Sequence, residues 1–375
     1  MENAIWRIFA RITNQGESNM KQLIKPQKLQ QNDLVATVSL SGCSAGKFPA
    51  RYQHGKKQFE ETFGVRIVEM PNSLRTDLYD NPQLRLDDMM MAFKNPDVKA
   101  ILTNIGGDET IRLLRYMTDE HFEIIRNNPK IFLGMSDTTA NHFMCMKAGI
   151  SSFYSPCTMF GFGENCGIVD ITAQSVRKTL FSTEPIGQLP ESKEYIVERV
   201  YWDDKNNTMR KRIPTDGNHF IQGNKTVRGR LIGGCMELFT MMNNTSIWPS
   251  LDEFEDTILF IETSEEMPTP SQFSYVLRNL GAMGVLERIN GILFGRPGGE
   301  FVAGDQEAKE QWLAQYQKFD EKLLKVCKEY GRSDMPIVTN MDFGHTVPQI
   351  ILPYGALTEI DPTNKTVSIL ENAVI

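Results

Sequence analysis

From Asp33 onward the chain alternates short apolar runs with longer segments whose apolar residues recur at helical spacing. Residues 34–40 are apolar and β-branched and end on Ser41-Gly42, which predicts a strand closed by a turn. Residues 65–68, 100–103 and 131–134 repeat the pattern, and Gly106-Gly107 follows the third run. Between them, residues 52–63, 84–93, 109–117 and 139–147 read as helices. Strand, helix, strand, helix with short turns implies a mostly parallel sheet wrapped by helices through right-handed crossovers. Ligands of such sheets bind beyond the carboxyl ends of the strands.

The pattern lapses between residues 192 and 225, which are polar and charged, and this stretch reads as an inter-domain connection or a lid. A second ordered block begins near Arg228. It predicts helices at 236–242, 270–281 and 306–330, and strands at 257–261, 291–295, 337–339, 350–352 and 366–370. The resulting division is an extension at 1–22, an N-terminal α/β domain at 23–190, a connecting loop or lid at 191–227, and a C-terminal domain at 228–375.

At 375 residues the chain is too long for one ordinary core, which agrees with two domains. A formal charge of −7 gives nucleic-acid binding no electrostatic support. The basic cluster Arg210-Lys211-Arg212 reads as a solvated loop. No apolar run approaches the roughly 20 residues of a membrane span. The early run Ala4 to Ala10 is short and broken by Arg7, unlike the apolar centre of a signal peptide. The six cysteines form no Cys-x-x-Cys pair, so a zinc ribbon is not expected and the thiols suit a cytoplasmic protein.

Chemistry concentrates at strand ends. In Gly134-Met135-Ser136-Asp137-Thr138-Thr139 a serine falls between a strand and a helix, the setting of a nucleophile elbow. The usual motif is Gly-x-Ser-x-Gly, and Thr138 replaces its last glycine, so Ser136 or Asp137 as a helix N-cap is the alternative. A serine nucleophile needs a base and the base an orienter. Of five histidines, His54, His121 and His142 lie in helix-like segments and read as surface or packing residues, and His219 lies in the polar stretch. His345 instead follows Gly344 after a buried strand, placed to reach a cleft. Glu262 ends the strongest strand of the second block and is the candidate orienter, while Glu265 reads as solvated loop. The N–H groups of Asp137 and of the Gly106-Gly107 turn are candidate oxyanion donors. Neither Gly161-Phe162-Gly163 nor Gly298-Gly299 matches a nucleotide-cofactor fingerprint.

Taken together, Gly106-Gly107, the Ser136 segment, Gly233-Gly234, the segment from Phe260 to Glu266, and Gly344-His345 followed by Leu352-Pro353-Tyr354-Gly355 resemble the S66 serine peptidases. That family comprises muramoyltetrapeptide LD-carboxypeptidases and microcin C self-immunity amidases, and the resemblance spans about residues 30–372. It implies a Rossmann-like N-terminal domain, a swivelling-type C-terminal domain, and a homodimer without metal or cofactor. It also implies a triad of Ser136, His345 and Glu262 with an oxyanion hole at Gly107 and Asp137. Cell-wall members usually read Glu-Asp-x-x-Glu, whereas this chain reads Glu262-Thr263-Ser264-Glu265-Glu266, closer to the microcin branch. That branch carries a polar loop with a tryptophan that stacks on a nucleotide base, and Trp202 sits where such a loop falls; a hydrophobic anchor for the loop is the alternative. Gly106, Trp202 and Glu266 are the expected substrate contacts. The expectation is an amidase acting on a small peptide or an aminoacyl-nucleotide. A muropeptide LD-carboxypeptidase and a non-catalytic binding protein on the same scaffold are the alternatives.

Overall fold

A computed structural model describes residues 22–202, 208–299, 302 and 304–375. Residues 1–21 of the expected extension and residues 203–207 of the connecting stretch lie outside these. The fold class matches expectation: an N-terminal parallel-sheet domain is followed by a C-terminal α/β domain. The first sheet runs in the order Leu352–Pro353, Phe153–Tyr154, Ile131–Gly134, Val98–Thr103, Leu34–Val38, Arg66–Glu69. All neighbours are parallel except Leu352–Pro353, which is antiparallel to Phe153–Tyr154. Its central strands are apolar along their length because helices cover both faces; Ala100, Ile101 and Leu102 are fully buried.

The second sheet has a parallel centre, Val227–Cys235, Thr257–Glu262, Gly291–Gly295 and Ile337–Met341. Antiparallel strands flank it, with Leu357–Asp361, Thr366–Ile369 and Gly187–Gln188 on one side and His219–Gln222 on the other. Sheet membership thus crosses the sequence boundaries at 190 and 227. Gly187–Gln188 and His219–Gln222 serve the second sheet, and Leu352–Pro353 returns to the first.

Several elements differ from the periodicity reading. Residues 109–117 form a 3-10 helix, Thr110–Arg115, and the helices Asp119–Asn127 and Asp170–Leu180 lie in segments with no expected element. The polar connecting stretch holds a small hairpin of Glu194–Tyr195 and Ile213–Pro214.

One apolar cluster runs through both sheets. Phe143, on the helix Thr139–Ala148, stacks on Trp248 at 5.7 Å, and Tyr354 meets Phe260 edge-on at 5.2 Å. Such pairs add about 0.5–1.5 kcal/mol each beyond area burial, so the aromatic set clamps the two sheets together. Gly234 permits the approach. Its φ is +135°, and a Cβ there would sit 2.5 Å from Thr139 Cγ2. In that space Cys235 N–H donates to Thr139 Oγ1 at 3.0 Å. The carboxyl end of Val227–Cys235 therefore abuts the helix that follows Ser136.

Candidate active site

Ser136 follows the strand Ile131–Gly134 after one residue, Met135, and opens the 3-10 turn Ser136–Thr138. Its φ is +59°, the left-handed region that a non-glycine residue enters at a cost of about 1–2 kcal/mol. A sharp strand-to-helix corner of this kind is the geometry of an elbow. Thr138 is accommodated because Gly134 is bare beneath it; a Cβ at Gly134 would fall 2.6 Å from Thr138 Cγ2. The capping alternative is not what the side chains do: neither the turn nor the helix Thr139–Ala148 has a side-chain cap bond. Asp137 instead accepts from Glu109 N–H at 2.9 Å and Thr110 N–H at 2.7 Å.

Those two bonds fasten the Gly106-Gly107 turn to the corner. Gly106 lies against Ser136, where a Cβ would come within 2.8 Å of the serine Cβ and 3.3 Å of Asp137 N. Gly107 has φ +144°, and a Cβ there would strike Ser41 Oγ at 2.4 Å. Glycine at both positions lets the backbone lie beside Ser136.

Glu262, at the end of Thr257–Glu262, is fully buried. Its Oε2 meets His345 Nδ1 at 2.7 Å, and its Oε1 accepts from the Tyr154 hydroxyl at 2.5 Å. That hydroxyl in turn accepts from Ser136 N–H at 3.0 Å. One chain of hydrogen bonds thus joins the Ser136 backbone to the His345 ring, across both sheets. Gly344, with φ +94°, leaves room for the carboxylate; a Cβ there would lie 2.6 Å from Glu262 Oε2. His345 is pushed up to about 9: burial opposes protonation, but Glu262 and then Glu265 outweigh it.

Glu265 is an exposed loop residue, as expected, yet its Oε2 lies 3.1 Å from His345 Nε2, a contact the sequence did not suggest. For Arg210 the solvated-loop expectation is corrected. Its side chain is buried, with Nη2 2.6 Å from Glu164 Oε2, although Arg212 of the same cluster is exposed. Tyr154 is a residue the sequence reading missed, since a two-residue strand carries no periodicity. Burial and then Glu262 hold its hydroxyl well above the ordinary tyrosine range, so it remains a donor. Tyr154→Phe keeps the ring packed on Phe260 but leaves Ser136 N–H and Glu262 Oε1 each short of a partner. The expected loss is about 1–3 kcal/mol of stability, read by urea unfolding. No loss would mean the hydroxyl bonds are idle.

Of the remaining histidines, His142 is buried, with Nε2 3.0 Å from Gly134 O and Nδ1 2.9 Å from Ser152 Oγ. Burial lowers it to about 3, so it stays neutral and packs the elbow from behind.

Ser136, Gly106, Gly107 and His345 border a cavity of about 530 Å³. The same cavity is lined by Phe48, Arg51, Glu164, Trp202 and Arg210, and residues 197–202 of the connecting stretch contribute to its wall. Trp202 meets Phe48 edge-on at 6.1 Å, and the Arg51 guanidinium lies 5.2 Å from its ring centre. Glu164 is clasped by Arg51 and Arg210, which hold its carboxyl below the usual range despite burial. Glu266 is exposed and outside the described lining. Among the described residues no group of three metal-ligating side chains converges, and no helix is long and apolar enough to cross a membrane.

Known proteins share this architecture. Residues 35–155 match the family model of the LD-carboxypeptidase N-terminal domain, and residues 228–360 that of the LD-carboxypeptidase C-terminal domain. The microcin C7 self-immunity protein MccF of Escherichia coli is 28% identical over 320 residues, 84% of this chain and 86% of that protein. A putative carboxypeptidase of Bacillus subtilis is 28% identical over 343 residues, 90% of this chain and 96% of that one. Among solved structures, an MccF-like protein from Streptococcus pneumoniae in complex with AMP has a TM-score of 0.79 at 28% identity. The alignment covers 90% of this chain and 98% of that one. MccF in complex with aspartyl sulfamoyl adenosine has a TM-score of 0.80 at 25% identity, covering 94% and 100%. Both halves of the fold match the two domain models of one family, and the chain belongs to the S66 peptidases, a family of hydrolases.

Proposed function

We propose that this protein is a serine amidase that cleaves the amide of an aminoacyl-nucleotide or a similarly small peptide conjugate. The observation that carries the reading is the buried contact of Glu262 with His345 Nδ1, tied through Tyr154 to the backbone of a strained serine on the same cavity. In this reading neutral His345 takes the Ser136 proton and the alkoxide attacks the amide carbonyl. The oxyanion is held by the N–H groups of Gly107 and Asp137. Imidazolium then protonates the leaving amine, and water hydrolyses the acyl-enzyme with His345 again the base. The unpaired cysteines support a reducing, cytoplasmic setting, and the homodimer rests on the family resemblance.

The substrate class rests on the Trp202–Arg51 part of the cavity lining. A tryptophan beside an arginine suits a planar base, and structural relatives are recorded with AMP and with aspartyl sulfamoyl adenosine. The second reading is a muropeptide LD-carboxypeptidase, favoured by the 25% identical probable murein peptide carboxypeptidase of Bacillus subtilis, which matches 91% of this chain. Parallel incubation with an aspartyl-adenylate phosphoramidate and a muramoyl tetrapeptide, followed by mass spectrometry, separates the two. Release of aspartate from the first is expected. Cleavage of the tetrapeptide alone would sink the nucleotide reading. Trp202→Ala is expected to raise KM for the adenylate about 10- to 100-fold with little change in kcat, the scale of one lost base stack.

A further inference from the structure

We propose that Glu265 couples recognition of a positively charged substrate amine to activation of His345, a role that rests on the triad reading above. The geometry of the ring requires some such release. Glu262 occupies Nδ1 at 2.7 Å, which leaves Nε2 as the atom to receive the Ser136 proton. Yet Nε2 lies 3.1 Å from Glu265 Oε2. A carboxylate only accepts, so a ring held between two carboxylates carries both protons. In this state His345 is imidazolium and cannot act as a base.

The other charges around the ring do not undo this. Glu237, on the helix Met236–Met242, adds a weaker negative field, since burial and then Glu262 push it toward its neutral form. Arg210 has its charge matched by Glu164 and packs its guanidinium 5.5 Å from the Phe160 ring, which lies 6.4 Å from His345. Burial itself opposes protonation but is outweighed.

Of the two carboxylates on the ring, Glu265 is the one able to leave. Its side chain is 51% exposed, whereas that of Glu262 is 0% exposed. Its backbone is tethered close by, because Ser264 N–H and Oγ both donate to Glu237 Oε1 at 2.7 Å. The other described carboxylates in the cavity wall are engaged: Glu164 by two arginines, Glu198 by Lys211 N–H at 3.2 Å. A primary ammonium next to the scissile carbonyl therefore finds Glu265 as its counter-ion. Once Glu265 turns to that cation, Nε2 loses its acceptor, its proton passes to solvent, and neutral imidazole is left oriented by Glu262. An acylated amine brings no cation and leaves Glu265 on the ring.

The test compares an aspartyl-adenylate phosphoramidate with its N-acetyl twin, using wild type, Glu265→Gln and Ser136→Ala. Wild type is expected to favour the free amine about 10- to 100-fold in kcat/KM, the scale of a hydrogen-bonded charge, and Glu265→Gln to lose that preference. The same ratio read as binding to Ser136→Ala by calorimetry keeps the preference measurable if cleavage is slow. In unliganded protein, NMR titration of the His345 ring should move to lower pH in Glu265→Gln, since one of the charges that raises it is gone. Equal handling of the two substrates by wild type, or an unmoved titration in Glu265→Gln, overturns the coupling role. Cleavage by Ser136→Ala would instead overturn the triad reading, so the two failures are distinct. Thermal unfolding of Glu265→Gln should fall only slightly below wild type, since an ion pair with a half-exposed partner contributes little.

Discussion

Ser136→Ala is expected to lower kcat about a millionfold, the scale seen when the serine of a triad is removed, while the protein folds as before. The surroundings make the test unusually clean. The bonds that hold this corner use the serine backbone: its N–H donates to Tyr154, and its carbonyl accepts from Thr139 Oγ1 at 2.7 Å. Alanine keeps both bonds and keeps the Cβ that makes φ +59° unfavourable. Only Oγ is lost, so the rate change reports on Oγ alone. Ser136→Gly sharpens this. It relieves a left-handed cost of about 1–2 kcal/mol and incurs glycine's unfolded-chain entropy of about 0.5–1 kcal/mol. That variant should be inactive yet no less stable than wild type. A serine held in strain for chemistry predicts this separation of activity from stability, whereas a serine that merely shapes a turn predicts no loss of rate. Single-turnover kinetics on whichever conjugate is cleaved, with urea unfolding alongside, reads both. Retention of more than about one hundredth of the wild-type rate is far outside the triad scale and would refute the nucleophile assignment.

What the sequence revealed of this site, and what it hid, follows from how each residue is held. The buried parallel strands were legible because both faces are covered and the whole run must be apolar. Residues 131–134 and 291–295 coincide with the buried strands Ile131–Gly134 and Gly291–Gly295. Leu357–Asp361 escaped because it alternates around a buried Thr358 and Ile360, a pattern too short and too polar to stand out. Ser136, Glu262 and His345 could be singled out because each sits at or just past the end of a readable strand, and the fold sets Ser136 and His345 on one cavity with Glu262 bonded to the histidine. Thr138 weakened the elbow motif on paper, yet the space that a second glycine would open is already supplied by Gly134. Tyr154 and Glu265 were hidden for a different reason. Tyr154 matters only because the second sheet delivers Glu262 to its hydroxyl, and Glu265 only because the loop behind it is tethered to Glu237. Long-range approach of this kind leaves no periodicity in the chain. The same holds for Arg210, whose partner Glu164 is far away in sequence, and for the polar stretch that becomes one wall of the cavity.

Glu262→Gln is expected to reduce kcat about ten-thousandfold, the scale of replacing a triad carboxylate by its amide. Here the neighbours dictate why. The Tyr154 oxygen accepts from Ser136 N–H, so its own proton points to Glu262 Oε1. In the variant the amide oxygen must turn to that proton, and the amide NH2 then faces His345 Nδ1. Nδ1 can only accept from it, so the neutral ring carries its proton on Nε2, the atom that should receive the one from Ser136. The tautomer is wrong even though the ring stays in place. The charge is gone as well, and burial, the largest single influence on His345, then acts with less opposition. The titration of the ring should fall from about 9 toward lower pH. The sign for stability follows from linkage. A histidine raised in the folded state stabilises it fully below about 6.5, its ordinary value, and loses that contribution as pH rises through the folded value. Wild type should therefore weaken between about pH 7 and 10 through this group, and Glu262→Gln should show a flatter curve in that window in pH-dependent urea unfolding. Tyr154→Phe added to Glu262→Gln removes the proton that fixes the amide. The amide is then free to present its oxygen to Nδ1, and the double variant should be faster than Glu262→Gln alone. A double variant slower than both single ones would mean that the tyrosine acts on the serine corner and not on the tautomer of His345.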